Sequence, residues 1–168
     1  MPTDAAMPSG GDRVGTAEGG LAAVVSQLPV LYVELGREIA AAAPVCELIG
    51  RCCRFREYGH TLCLSRAESQ LLFQQPFAAE APVDDSGCPY QVGALCTARE
   101  RRPLGCRVYY CDPGYAGVGE ELSERYLKRL KDLHDEHGAG WDYRPLVMFL
   151  REEKNSGRSD SAEVPEQR

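Results

Sequence analysis

HTLCLSRAESQLLF, residues 60–73, changes character halfway along. The first half sets Leu62, Cys63 and Leu64 in a run that reads as a short strand. The second half opens with Ser65 and places Glu68 three residues on, ahead of Leu71 and Leu72. That is a capping box: the serine hydroxyl accepts from the Glu68 N–H while the Glu68 carboxylate accepts from the Ser65 N–H, so two otherwise orphaned donors at the helix start are satisfied. A strand running straight into a capped helix predicts a chain that mixes both element types. The segment also divides the cysteines, with Cys46, Cys52 and Cys53 before it and Cys88, Cys96, Cys106 and Cys111 after it.

Upstream, Leu28, Leu31, Tyr32, Leu35 and Ile39 recur at helical spacing. With Ser26 as N-cap and Pro29 tolerated in the first turn, they predict a helix over 27–43 that Pro44 ends. Downstream, residues 76–113 are rich in proline and glycine around four cysteines, too broken for long elements, so a metal or another crosslink is expected to organise them. Leu122, Tyr126, Leu130 and then Leu133 or His134 predict a helix over 119–137, with Glu120, Glu121 and Glu124 early and Gly138 past its end. The last apolar stretch, WDYRPLVMFLREEK, reads as a short strand into a helix opened by Pro145, without a boundary that the period fixes. The polar, low-pattern ends, 1–19 and 155–168, are expected to be disordered tails around one domain over 21–154. The fold class expected is a small, helix-dominated α+β domain, its irregular metal-organised cysteine loops flanked by N- and C-terminal helices.

At 168 residues and 43% hydrophobic, the chain can bury a core of its own. A formal charge of −6 argues against nucleic acid as a partner, since that affinity comes from clustered Lys and Arg. The N-terminal residues do not read as a secretory signal. In the apolar run after them, Gln27, Pro29, Glu34, Arg37 and Glu38 interrupt the roughly 20 residues that a membrane span needs, so no transmembrane segment is expected. A reducing cytoplasm is the expected setting, where crowded cysteines serve as metal ligands or redox groups rather than disulfides.

Eight cysteines in this length exceed ordinary usage, and they are bunched between Cys46 and Cys111 as Cys46-x5-Cys52-Cys53, Cys63, and Cys88-x7-Cys96-x9-Cys106-x4-Cys111. Zinc takes four ligands in a tetrahedron and iron-sulfur clusters take cysteine thiolates, and thiols on turns are the residues that can be gathered for either. The neighbours Cys52 and Cys53 project differently from the backbone, so they share one centre only across a tight turn, or serve two. All eight basic residues between Cys46 and Cys111 are arginines, among them Arg51, Arg54, Arg56, Arg99, Arg101, Arg102 and Arg107 close in sequence to a cysteine. Fixed positive charge lowers thiol pKa and offsets thiolate charge, and arginine cannot shed its proton to escape burial. In RPLGCRVYYCDP (102–113), Arg102 and Arg107 are therefore candidates to hold charge beside the cofactor while Tyr109 and Tyr110 shield it. The bland reading of the arginines is ion pairing with Glu47, Glu57, Glu100 and Asp112.

The run GRCCRF, the later CPY at Cys88 to Tyr90, the single Cys96, and RPLGCR followed by Cys111 resemble the YkgJ-type CxxCxxCC cysteine-cluster family, associated with zinc or iron chelation. The resemblance covers 46–113 and implies metal or iron-sulfur binding through Cys46, Cys52, Cys53, Cys88, Cys96, Cys106 and Cys111, without implying a settled reaction. Related segments occur in larger proteins such as a flagellin lysine methylating protein. The Cys46-x5-Cys-Cys spacing is wider than the family name implies.

Cys63 lies in an apolar run and reads as core or strand surface. His60, next to the first cysteine group, is a candidate ligand or proton donor, whereas His134 and His137 read as helix-end residues. Trp141, Tyr143 and Arg144 read as core with a pocket wall as the alternative. No Ser/His/Asp order, phosphate loop or paired-carboxylate signature stands out, so the partner stays an unknown protein or small molecule. The expectation is thus a protein holding an iron-sulfur cluster, or iron or zinc, with a redox or enzymatic role. The alternative is a zinc module that only folds an interaction surface. A disulfide-stabilised domain is a weaker third, against which the adjacent Cys52 and Cys53 and the absent signal both speak.

Overall fold

The computed structural model describes residues 12–77, 81 and 83–156, with the side chains of 12–16 excepted. Within them the chain is helix-dominated with two small two-stranded sheets. Helix α1 spans Asp12–Ala42, α2 Phe55–Tyr58, β1 Cys63–Ser65 and α3 Arg66–Phe73. There follow β2 Gln91–Val92, β3 Leu95–Cys96 and α4 Leu104–Val108, and then α5 Ala116–Glu136, β4 Tyr143–Pro145 and α6 Leu146–Asn155.

The segment 60–73 folds as its sequence predicts. Ser65 Oγ accepts from Glu68 N at 3.3 Å, and Glu68 Oε2 accepts from Ser65 N at 2.7 Å. The C-terminal WDYRPLVMFLREEK repeats the plan, β4 running into α6 at Pro145. The two units join through their strands, antiparallel, with Leu64 opposite Arg144, and Leu146 N→Leu62 O (2.8 Å) and Arg66 N→Asp142 O (2.9 Å) carry the pairing past both ends.

Helix α1 starts well before the predicted residue 27, so residues 12–19, expected to be disordered, belong to a helix, while 1–11 lie outside the described residues. Ser26 is not its N-cap: it sits mid-helix with Oγ bonded to Ala23 O at 2.7 Å. Pro29 is likewise interior rather than in the first turn. The apolar period continues upstream through Leu21 and Val24, which pack into the core, and the helix runs through Pro29 despite the roughly 3 kcal/mol that an interior proline costs. Of the predicted C-terminal tail, Asn155 closes α6 and Ser156 follows it; 157–168 lie outside the described residues. Helix α5 matches the predicted 119–137 to within a turn.

Residues 17–42 are long and apolar enough, by length and composition, to cross a membrane, against the expectation that their polar positions would break the run. Here their apolar stripe forms the core: Val24, Leu28 and Leu35 are fully buried, together with Leu122, Tyr126 and Leu130 of α5. At the edge of that contact Glu34 pairs with Arg129 at 2.6 Å, and Glu38 takes Arg125 at 2.5 Å and the Tyr126 hydroxyl at 2.6 Å. A second core gathers Leu64, Leu72, Tyr90, Leu146, Phe149 and Leu150, and Cys88, Cys96 and Cys106 pack against it. Helix α3 bridges the two, turning Ala67 and Leu71 to the first and Leu72 to the second.

Candidate metal centre

The two cysteine groups are drawn together by backbone hydrogen bonds. Cys53 N bonds to Gly50 O at 3.1 Å, closing the tight turn on which Cys52 and Cys53 lie. Gly50 has φ 73°, a conformation that favours glycine. The second loop docks on that turn through Cys88 N→Cys53 O at 2.8 Å. Gly87 makes this approach possible, because a Cβ there would stand 2.9 Å from Cys53 O. The β2–β3 ribbon then returns the chain, pairing Gln91 with Cys96, while Thr97 N and Oγ1 both bond to Tyr90 O. Gln91 Nε2→Gly50 O (3.3 Å) ties ribbon and turn. Tyr90 anchors the loop from below, fully buried, its hydroxyl donating to Leu72 O at 3.3 Å. Finally α4, entered through the Arg102-Pro103 step, brings in Cys106.

Cys53 is buried with its sulfur 3.9 Å from that of Cys52, and Cys52, Cys88 and Cys96 all act on its ionisation. All eight cysteines are free thiols. The Cys52 and Cys53 sulfurs are 3.9 Å apart, far beyond the roughly 2.0 Å of a disulfide. Cys52 is pulled down to about 6, first by the hydrogen bond from Cys53 and then by Arg102, against the cost of burial. Cys96 is also lowered to about 6, by Cys53, by the Ala98 backbone and by Arg102 and Arg99, again against burial. Cys53 moves the opposite way, because it donates to Cys52 and stands beside the Cys88 and Cys96 thiols. Cys106 is pushed well above the ordinary thiol range by burial and then by Cys88, Cys52 and Cys96, with Arg102 opposing.

Thiols packed this closely cannot all ionise unless positive charge enters among them, which is the property of a metal-binding donor set. The 3.9 Å between Cys52 and Cys53 matches the edge, about 3.8 Å, of a tetrahedron of sulfurs at 2.3 Å from one ion. The Cys52–Cys53 pair thus fits a thiolate-bound metal in chemistry and spacing. Among the described residues no three His, Cys, Asp or Glu side chains stand in metal-coordinating geometry.

The other predicted residues fall at the rim or elsewhere. Cys111 is half-buried, raised by burial, and interacts with Arg51, Cys52 and Cys46. Cys46 is exposed beside it. Cys63 lies on β1, partly buried, with burial raising its pKa. His60 is held against the centre without being aimed into it: Nε2 donates to Cys52 O at 3.3 Å, and its ring stacks on Tyr109 at 5.7 Å. His134 Nδ1 donates to Gly140 O at 2.8 Å, and His137 Nε2 takes the Gln27 amide, so both serve the α1–α5 region. Trp141 packs on the first core, and Arg144 pairs with Asp142 and Glu152.

The arginines divide. Arg54 pairs with Glu57, as the bland reading expects, and Arg56 pairs with Asp85, a partner that reading did not name. Arg102 acts on Cys52, Cys96 and Cys106. Arg107 stacks over the Tyr32 ring at 4.1 Å, and its pKa is lowered by burial, with Arg102 adding to the effect.

Glu68 has a second duty that the capping pattern did not reveal. Its Oε1 accepts from Tyr32 Oη and from Leu104 N, each at 2.7 Å, so one buried carboxylate fixes α1, α3 and the start of α4. Its only sequence signal was the box itself. No protein-family model, curated protein or solved structure matches this chain.

Proposed function

We propose that the chain is a metal-binding protein whose centre is held by Cys52, Cys53, Cys88 and Cys96, with Cys106 behind them and Cys111 and Cys46 at the rim. The group it would take is an iron-sulfur cluster, or an iron or zinc ion. The observation that carries this reading is the Cys52–Cys53 sulfur pair, 3.9 Å apart on a turn to which the Cys88 loop is stitched by Cys88 N→Cys53 O, with no disulfide among them. The 3.9 Å between adjacent sulfurs favours both on one ion. The resemblance of residues 46–113 to the YkgJ-type cluster family supports the same assignment. Bound iron would supply electron transfer, and bound zinc would supply loop stability or Lewis acidity. The chain's own part is to supply thiolates, to offset their charge with Arg102 and Arg99, and to hold the turn through Gly50 and Gly87. The setting that suits eight free thiols is a reducing compartment.

The test is metal and acid-labile sulfide content with an absorbance spectrum on protein purified without oxygen. Iron with sulfide and a thiolate-to-iron band supports the redox reading. Stoichiometric zinc without colour supports the alternative, a zinc-folded interaction module, which the scarcity of regular structure among the described residues between Gln74 and Arg102 also favours. Absence of any stoichiometric metal overturns both.

A further inference from the structure

We propose that the cavity between the C-terminal half of α1 and α4 binds a small organic monocarboxylate, its carboxylate on the Arg102 and Arg107 guanidiniums and its apolar body along Leu35 and Ile39. The cavity measures 280 Å³, about nine water volumes, which suits a carboxylate on a short chain. One wall is the apolar face of α1 with Gly36 and Ala40; the other is formed by Arg102, Arg107 and Tyr110.

The arginines are held by backbone carbonyls. Arg107 donates from Nε to Arg102 O and from Nη2 to Glu100 O, both at 2.6 Å, and Arg102 donates from Nε to Arg99 O at 3.1 Å and from Nη1 to Cys106 O at 3.4 Å. Neither forms an ion pair among the described residues, as is also true of Arg51, Arg99 and Arg101, but Arg102 and Arg107 are the two that line this cavity. Two like charges fixed side by side in a partly desolvated wall, with Glu100 acting on Arg107 but not ion-paired to it, favour an anion from outside the chain.

The cysteine thiolates are the rival anion, and Arg102 acts on them. Arg107 is turned onto the Tyr32 ring that also lines the cavity, where a ligand carboxylate could reach it without displacing an ion pair. The ligand's class follows from the surroundings. α1 ends at Ala42, and Ala43 and Pro44 line the cavity, so the negative end of the helix dipole is close. That field penalises a phosphate dianion more than a monocarboxylate, and the aliphatic wall rewards a hydrocarbon body. The cysteines do not line this cavity, so the inference stands whether or not the metal reading does.

Isothermal titration calorimetry of the full chain as purified, with butanoate, hexanoate, hexan-1-ol and inorganic phosphate, tests it. Saturable hexanoate binding is expected, roughly 16-fold tighter than butanoate at about fourfold per methylene, and at least tenfold tighter than hexan-1-ol or phosphate. Arg107→Gln should weaken hexanoate at least tenfold. Gly36→Leu should abolish binding with the fold retained, because a Cβ at Gly36 meets nothing within 4 Å and the leucine fills the cavity. Circular dichroism and the unfolding midpoint of each variant verify the fold. Absence of saturable hexanoate binding to the wild type overturns the proposal, as does hexanoate binding that survives Gly36→Leu or Arg107→Gln. Phosphate binding as tight as hexanoate, without chain-length dependence, overturns the ligand class.

Discussion

Removing the Tyr32 hydroxyl tests the Glu68 junction, on which the placement of α4, and so of Cys106, depends. In the folded chain Glu68 is 1% exposed and accepts from Tyr32 Oη, Leu104 N and Ser65 N, all at 2.7 Å. Hydrogen bonds to a charged group contribute about 1.5–3 kcal/mol each, and a buried donor left unpaired costs about 1–3 kcal/mol. Tyr32→Phe removes donor and bond together and leaves the carboxylate two backbone donors, so a loss of about 1.5–3 kcal/mol is expected. Glu68→Gln is worse. Its amide oxygen can face Tyr32 and Leu104 or face Ser65, and in either pose its NH2 meets N–H or O–H donors, for a loss of about 3–4 kcal/mol. The double variant should show coupling, losing less than the sum, since the two side chains share one bond. Urea unfolding of the chain as purified, with the m-value unchanged, is the assay. Losses below about 0.5 kcal/mol for both single variants would refute the junction.

Gly87→Ala should weaken the docking of the two loops and lower both the midpoint and the metal content, because its Cβ would press on Cys53 O at 2.9 Å, a backbone atom that cannot swing aside; midpoint and metal content equal to wild type would contradict this. Cys53→Ser should abolish stoichiometric metal, while Cys63→Ser, on β1 apart from the thiol group, should keep it; equal retention by elemental analysis would sink the assignment of Cys53 as the hub. Stability should fall on the acid side through Glu38, whose carboxyl is held below its ordinary 4.5 by the Tyr126 hydroxyl and by Arg125, against slight burial. A folded pKa below the unfolded one gives stability that is present above about 4.5 and lost as pH falls through the folded value. Glu38→Gln should therefore flatten the pH dependence of the melting temperature below that point and leave its shape unchanged near neutrality; an unaltered acid limb would contradict it.

The elements legible in the sequence were those set by near neighbours. Ser65 and Glu68 are three residues apart, and their capping box needs nothing from the rest of the chain. The α5 stripe and the strand-to-helix step at Pro145 are local in the same way. In the sequence Ser26 and Pro29 are ordinary helix-start signals, and only the packing of Val24 and Leu28 into the first core shows that α1 runs through them. At the centre, cysteine order and spacing named the candidates, but which thiols meet was set by Cys88 N→Cys53 O and the β2–β3 ribbon, neither of which leaves a periodic trace. The same distance hid the Tyr32–Glu68 bond and the stacking of Arg107 on Tyr32, residues that read as core, cap and cluster charge when taken separately.

The most direct measurement is metal K-edge X-ray absorption on protein purified without oxygen, with total metal determined on the same sample. A thiolate centre on Cys52, Cys53, Cys88 and Cys96 predicts stoichiometric iron or zinc with a sulfur shell of about four at roughly 2.3 Å. A shell dominated by nitrogen or oxygen, or no stoichiometric metal at all, would contradict it.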